Sequence, residues 1–368
     1  MKKTQKELSP LEIKINAWVT SHLTRVPFVD KFLFIHHLQI MTKAGLSIMS
    51  SLEILAKEVE NKKLKLAVQK IKADVESGLQ LSQALEKHPN IFPLVYVSMI
   101  GAGETAGKLE DALTQVSDQM KKTQNLNSKV RGAMIYPAVI MVTMLGITCF
   151  VVFYIMPKIL IMFDEMNAEL PFVTKMLIAF TNFGLSYWWL IIIVIVGFIV
   201  GFIRLMKIYN FKRFIHKIML RLPIFGNIFK KINLARFTLT LSSLLASTIP
   251  IVEAVKISSE VLKNLIYKEQ LSHTAESLKQ GETLSSILMN YPQTFPPMTT
   301  EMLMVGEQSG KIEQMLFELS EYYNKEVEET MNNFTSIIEP VIILLLGLGV
   351  AGIAVAVIMP MYSLAQSI

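Results

Sequence analysis

The octapeptide GAGETAGK at residues 101–108 nearly spells a phosphate-binding loop. Read from Ala102, it offers a small residue, four spacers, Gly107 and Lys108. Such a loop continues from lysine into Ser or Thr, whose hydroxyl holds the magnesium ion, and here Leu109 follows. It also works by turning bare backbone N–H groups toward an anion, and Glu104 would set a carboxylate inside that cradle. The other reactive side chains are no better placed. The six histidines form neither an HExxH pair nor a cluster with metal-ligand spacing, and His36 and His37 are adjacent, so they diverge on a helix. The chain has no Gly-x-Ser-x-Gly turn, dinucleotide fingerprint or acid–base pair. Cys149 is the single cysteine, which excludes a disulfide within one chain. The reading is therefore of a protein that is not an enzyme and holds no cofactor or metal.

The same octapeptide gains a meaning from its echo. VGEQSGKI occupies 305–312, so Gly306, Glu307, Gly310 and Lys311 lie 203 residues after Gly103, Glu104, Gly107 and Lys108. That shift also carries Phe34 onto Phe237, Gly78 onto Gly281, Ser82 onto Ser285, Phe92-Pro93 onto Phe295-Pro296 and Pro137 onto Pro340. The chain is an internal duplication. What both copies keep, G-E-x-x-G-K followed by Leu or Ile, suits a corner between helices. Gly103 and Gly107, with Gly306 and Gly310, would allow a close helix approach or a left-handed cap. Glu104 and Glu307 would accept hydrogen bonds from free N–H groups at the start of the following helix, where the dipole favours a negative charge. One carboxylate without clustered partners makes a poor cation site.

Each repeat must supply the elements around that corner. Apolar residues recur at helical spacing in FLFIHHLQIMTKAG, SIMSSLEILAKEV, KKLKLAVQKIKADVESG and LQLSQALEKHP, with Gly or Pro at the breaks. Leu109, Leu113, Val116 and Met120 mark one face of a long helix, matched by Ile312, Leu316, Leu319 and Tyr323. The expectation is an all-α protein with about six helices in each of two bundles.

The chain is 368 residues long, 52% hydrophobic, with a mean hydropathy of +0.43. Residues 132–157, 176–203 and 340–368 carry no charged side chain, and each run exceeds the roughly 20 residues a spanning helix needs. Three transmembrane helices are expected, at 134–156, 183–203 and 340–361, with Tyr187, Trp188 and Trp189 at an interface and no cleavable signal peptide evident. The other boundaries are an N-terminal extension at 1–33, repeats at 34–131 and 237–339, a short external loop at 158–175 and a basic connector at 204–236. Pro137 and Pro340 lie near the entries of the first and third spans, with Glu339 just before the latter, and Pro157 and Pro360 mark their outer ends. The connector has nine Lys or Arg and no acid, whereas 158–175 has two lysines and three acids. The positive-inside rule then puts the N-terminus and both repeats in the cytoplasm and the C-terminus outside. Two repeats of equal orientation require one return crossing, which the second span supplies.

Taken together, the helix ending at Ala44-Gly45, the G-x-x-x-S at 78–82, Phe92-Pro93, G-E-T-A-G-K-L at 103–109 and Tyr136-Pro137, repeated with G-E-Q-S-G-K-I and Glu339-Pro340, resemble the GspF/PilC family over residues 30–365. These are inner-membrane platform proteins of type II secretion systems and type IV pili. The second repeat departs at Ser247-Thr248-Ile249-Pro250, opposite Ala44-Gly45-Leu46-Ser47. The resemblance implies partners: a cytoplasmic hexameric ATPase, pilin or pseudopilin, other inner-membrane assembly proteins and further copies of the chain as dimer or tetramer, without nucleic acid. It also implies calcium binding in the first cytoplasmic domain of some members, for which Glu104 is the nearest acid. Lys230, Lys231 and Arg236 in the connector are the candidate partner contacts. A transporter, or a membrane scaffold unrelated to pili, is the alternative reading; single crossings per repeat without paired charges speak against the transporter.

Overall fold

The computed structural model describes residues 26–155, 157, 183 and 186–367. Most of the 1–33 extension, the whole 158–175 loop and the start of the expected second span lie outside the described residues. Among those described, the secondary structure is helical and no strand occurs.

The first repeat holds six helices: α1 (Phe28–Lys43), α2 (Ile48–Glu58), α3 (Lys62–Glu76), α4 (Leu81–Glu86), α5 (Leu94–Thr105) and α6 (Leu109–Phe150). The second repeats them as α9 (Phe225–Ala246), α10 (Ile251–Val261), α11 (Leu265–Lys279), α12 (Leu284–Met289), α13 (Pro297–Ser309) and α14 (Ile312–Ser367). Between them lie α7 (Trp188–Leu205) and α8 (Tyr209–Arg221). The breaks follow from local chemistry. Asn61 accepts from the N–H groups of Lys63 and Leu64 and so caps α3, and Asn264, its equivalent, accepts from Ile266 N–H at the start of α11. α1 ends on Gly45 at φ +87°, with the Leu46 N–H donating to the Met41 carbonyl at 3.0 Å. α9 ends on the same turn, but Thr248 holds the left-handed position at φ 61°. A β-branched residue is strained there.

The chain divides into two compact units, one of residues 26–127 with 229–325 and the other of 128–228 with 326–367. The first unit contains both bundles, and each has its own core. Phe34 packs at a tilt against Phe92 with ring centres 5.5 Å apart, and Phe237 lies edge-on to Phe295 at 5.5 Å, the same pair one repeat later. Burying each such ring stabilises by about 1.5–3 kcal/mol. The hydroxyl of buried Tyr267 donates to the Thr294 carbonyl at 2.8 Å, and burial pushes the Tyr96 hydroxyl up to about 12.

The second unit is apolar on its outside, with Val142, Leu145, Phe198, Ile343 and Leu348 exposed. Two helices are long and apolar enough to cross a membrane: α6, continued by a π-helical turn to Ile155, and α14 as far as Gly352. A third crossing is added if α7 and α8, bent by 99° at the break between them, are taken as one element. α7 alone has 18 residues, about 27 Å of helix. Pro137 lies inside α6 and Pro340 and Pro360 inside α14. α14 continues past Pro360 to Ser367.

Candidate functional site

The repeated corner is built in the same way twice. α5 closes on Gly107 at φ +68°, where the Lys108 N–H donates to the Gly103 carbonyl at 2.7 Å and the Gly107 N–H to the Glu104 carbonyl at 3.1 Å. α13 closes on Gly310 at φ +70°, with the Lys311 N–H on the Gly306 carbonyl at 2.8 Å. This pairing satisfies carbonyls that the helix end leaves free. Gly103 sits against α6: a Cβ built there would be 2.2 Å from the Ala112 Cβ. At Gly306 the nearest atoms to such a Cβ, Ile312 Cα and Met315 Cγ, are 3.0 Å away.

Glu104 turns away from the helix that follows it. Its Oε1 accepts the Leu81 N–H at 2.6 Å, and its Oε2 accepts the Ser82 N–H at 2.9 Å together with the Ser82 hydroxyl. Glu307 makes the same three bonds with Leu284 N–H (2.6 Å), Ser285 N–H (3.1 Å) and the Ser285 hydroxyl. The capped helix is therefore α4 or α12, 23 residues earlier in the chain, and not the helix that follows the corner. The physical reason lies in α4 itself. It has six residues and no side-chain cap at Gln80, too short to hold together unaided, and a carboxylate at its N-terminus answers both its free donors and its dipole. With both oxygens so engaged, Glu104 is a structural clamp. Among the described residues no group of three or more His, Cys, Asp or Glu could hold a metal ion.

A second constellation joins the two bundles. The Ser247 hydroxyl donates to Gln115 Oε1 at 2.6 Å and the Ser243 hydroxyl to Gln119 Oε1 at 2.7 Å. Lys122 Nζ reaches Glu321 at 2.7 Å and stands 4.7 Å from the centre of the Phe317 ring. Sequence reasoning missed this seam, because polar residues on the outer stripe of a helix look like a solvated face.

A family model matches this architecture twice, at residues 34–157 and again at 237–360, and its description is type II secretion system (T2SS), protein F. The chain belongs to that family. The two matched stretches are separated by the same 203 residues as the two corners. Similar proteins include a type IV pilus assembly protein PilC of Thermus thermophilus, 32% identical over 91% of this chain and 82% of the relative. Another is the PilC of Pseudomonas aeruginosa, 33% identical over 92% of this chain and 91% of the relative. A type II secretion system protein F of Aeromonas hydrophila is 30% identical over 90% and 85%.

The remaining residues singled out by sequence fall at different depths. Arg236 is no free surface charge: its guanidinium donates to Asn127 at 2.8 Å across the seam, and burial lowers its pKa. Lys230 and Lys231 are half-buried on α9. Glu339 is exposed on α14, beside Pro340 and well within the continuous helix.

Proposed function

We propose that this protein is the inner-membrane assembly platform of a type IV pilus or type II secretion system, and that it couples a cytoplasmic hexameric ATPase to the entry of pilin or pseudopilin subunits into a filament. The double family match, in register with the duplicated corner, carries the reading. The names of the relatives, pilus assembly and type II secretion, support it. Its membrane topology follows from charge: both bundles in the cytoplasm, three crossings at 134–156, 183–203 and 340–361, and the C-terminus outside. The bundles bind and position; none of their residues is assigned to catalysis. Helices α6 and α14, each unbroken from a bundle into an apolar run, support a role in which a push on the cytoplasmic side reaches the lipid-embedded segments. Of the candidate contacts, Lys230 and Lys231 carry forward as ATPase-side residues, while Arg236 is committed to Asn127.

The test is deletion of the gene in a strain without a second homologue. Surface filaments or secreted pseudopilus cargo should be lost while the ATPase stays at its normal level and pilin accumulates in the inner membrane. Normal assembly in that strain would refute the platform role.

A further inference from the structure

α14 carries one charge beyond the point where the others stop. After Glu329 the next and last charged residue of the chain is Glu339, ten residues on. Two contacts between α6 and α14 fix its depth. Lys129 pairs with Glu328, 199 positions later, and further along both helices a Cβ on Gly349 would lie 3.2 Å from Met144 Cε. The two helices therefore run side by side in the same direction at nearly the repeat spacing, and Glu339 stands level with its counterpart Tyr136. Arg131, the last charged residue of α6, comes five residues before Tyr136, about 7.5 Å of helix. Glu339 thus lies inside the apolar band of the two helices that are long and apolar enough to cross a membrane.

Its side chain is turned outward. Asn332, Ser336, Glu339 and Ile343 fall on one face of α14, and all four are exposed, as are Ile337 and Val341 on either side. Glu339 has no ion pair or hydrogen bond among the described residues. Pro340 has no N–H, so the Ser336 carbonyl, four residues earlier, loses its helical donor. The Ser336 hydroxyl already donates to the Asn332 carbonyl at 3.2 Å. A helical side chain leans back over the preceding turn, which brings the Glu339 carboxylate to the Ser336 carbonyl. Three acceptor oxygens then share one spot without a donor. The first repeat has the matching Pro137 but Tyr136 in the place of the acid, so the shared fold does not require Glu339.

A charge facing lipid is costly and is met by a partner. Three acceptors match an ammonium, which offers three N–H donors and a positive charge. At this depth the surround is apolar, so the ammonium must arrive on an apolar carrier. A lysine or free α-amino group at the end of another transmembrane helix meets both demands, its flank lying along Val341 and Ile343. We propose that Glu339 and the Ser336 carbonyl form a docking point for an ammonium group carried by the transmembrane helix of a different membrane protein, on the bundle side of the bilayer. The inference goes beyond the platform reading. It rests on α6 and α14 crossing the membrane, and loss or retention of filaments in a deletion strain leaves it untouched.

Purified full-length protein, Cys149→Ser with a dye at exposed Val355→Cys, tests it in phosphatidylcholine vesicles, whose lipid carries no N–H. The probe is a fluorescent Leu–Ala helix of about 20 residues with one lysine at its end. Energy transfer should show binding about five- to thirtyfold tighter than for the same peptide with its lysine acetylated, the scale of a polar contact between helices in lipid. Glu339→Gln should erase that difference. Glu339→Lys should move the preference to a peptide with glutamate in the lysine's place, a reversal that a misfolded chain would not give. In native membranes a lipid-soluble carbodiimide should join Glu339 to an amine on another protein's transmembrane segment, as one carboxylate oxygen and two ammonium hydrogens leave on the carbodiimide as its urea. Equal binding of the lysine and acetyl-lysine peptides by inserted protein would overturn the proposal. So would a native-membrane adduct that is absent, made with a lysine of this chain, or confined to phosphatidylethanolamine, which would make a lipid headgroup the occupant.

Discussion

At the scale of the residue, the duplicated corner gives two independent versions of the same experiment. Glu104 answers three donors that have no other carboxylate to turn to. Glu104→Gln keeps the shape but places an amide N–H₂ against N–H donors, and it should destabilise the first bundle by about 1–3 kcal/mol, the cost of leaving buried donors unanswered. Glu110→Gln, on the exposed first turn of α6, should stay within about 0.5 kcal/mol. Melting of the purified full chain followed by circular dichroism distinguishes them; equal effects would remove the clamp. The glycines separate the repeats. Gly103→Ala meets Ala112 at 2.2 Å, whereas Gly306→Ala meets its nearest neighbours, one of them a flexible methionine, at 3.0 Å. The first should cost about 1–3 kcal/mol by overpacking, and the second less; the reverse order in the same melts would contradict the geometry. The corner was legible in sequence because each of its glycines and carboxylates occurs twice at one spacing. The target of the carboxylate was not legible, because the 23 residues between Leu81 and Glu104 are closed by tertiary packing and leave no local signal.

At the scale of the element, helix periodicity and Gly or Pro breaks anticipated the six-helix repeat, since each break is a local event. Three features escaped that reading. Thr248 takes a left-handed turn that sequence assigns to glycine, α6 runs without interruption from bundle to apolar run, and α8 bends sharply away from α7. α8 places Phe211, Phe214, Ile215 and Ile218 along one side, Lys212, Arg213 and Lys217 around the rest, and Arg221 at the edge beside Phe214, with no acid. Such a helix suits the plane of a membrane interface, apolar side down and basic side among anionic headgroups. Its return into α9 is tight: Ile224 lies at φ 66°, and a Cβ on Gly226 would be 2.6 Å from the Leu220 carbonyl. Spin labels at Ile218→Cys and Arg213→Cys, five positions and about 140° apart on the helix, in the Cys149→Ser protein reconstituted into anionic vesicles, report the depth of each side. Ile218 should be accessible to oxygen and shielded from a water-soluble nickel chelate, with Arg213 the opposite. Equal access to the chelate at both positions would show that α8 stands clear of the lipid.

At the scale of the whole molecule, the duplication constrains topology more tightly than hydropathy does. If the two repeats, each ending in an apolar helix, face the same compartment, the end of the first crossing helix and the start of the second repeat must be joined by an odd number of crossings. The connection would then return once. Only the run at 176–203 is long and apolar enough to do so, and its described part is α7. The charges agree: nine basic residues and no acid follow it in 204–236, against two lysines and three acids in 158–175. Near a cytoplasmic leaflet each basic side chain is worth about 1 kcal/mol, so inverting the protein would forfeit several such contacts. Cysteines placed one at a time at Asn167, in the loop outside the described residues, and at exposed Asn227, in the first turn of α9, read the orientation directly in a Cys149→Ser background. On intact cells a membrane-impermeant maleimide should label Asn167→Cys and leave Asn227→Cys untouched until the cells are opened. The reverse pattern would put both bundles outside the cytoplasm, out of reach of any ATPase, and the coupling role would fall with the topology. Labelling of both on intact cells would break the requirement that 176–203 crosses at all, and would leave the duplicated repeats facing opposite sides of the membrane.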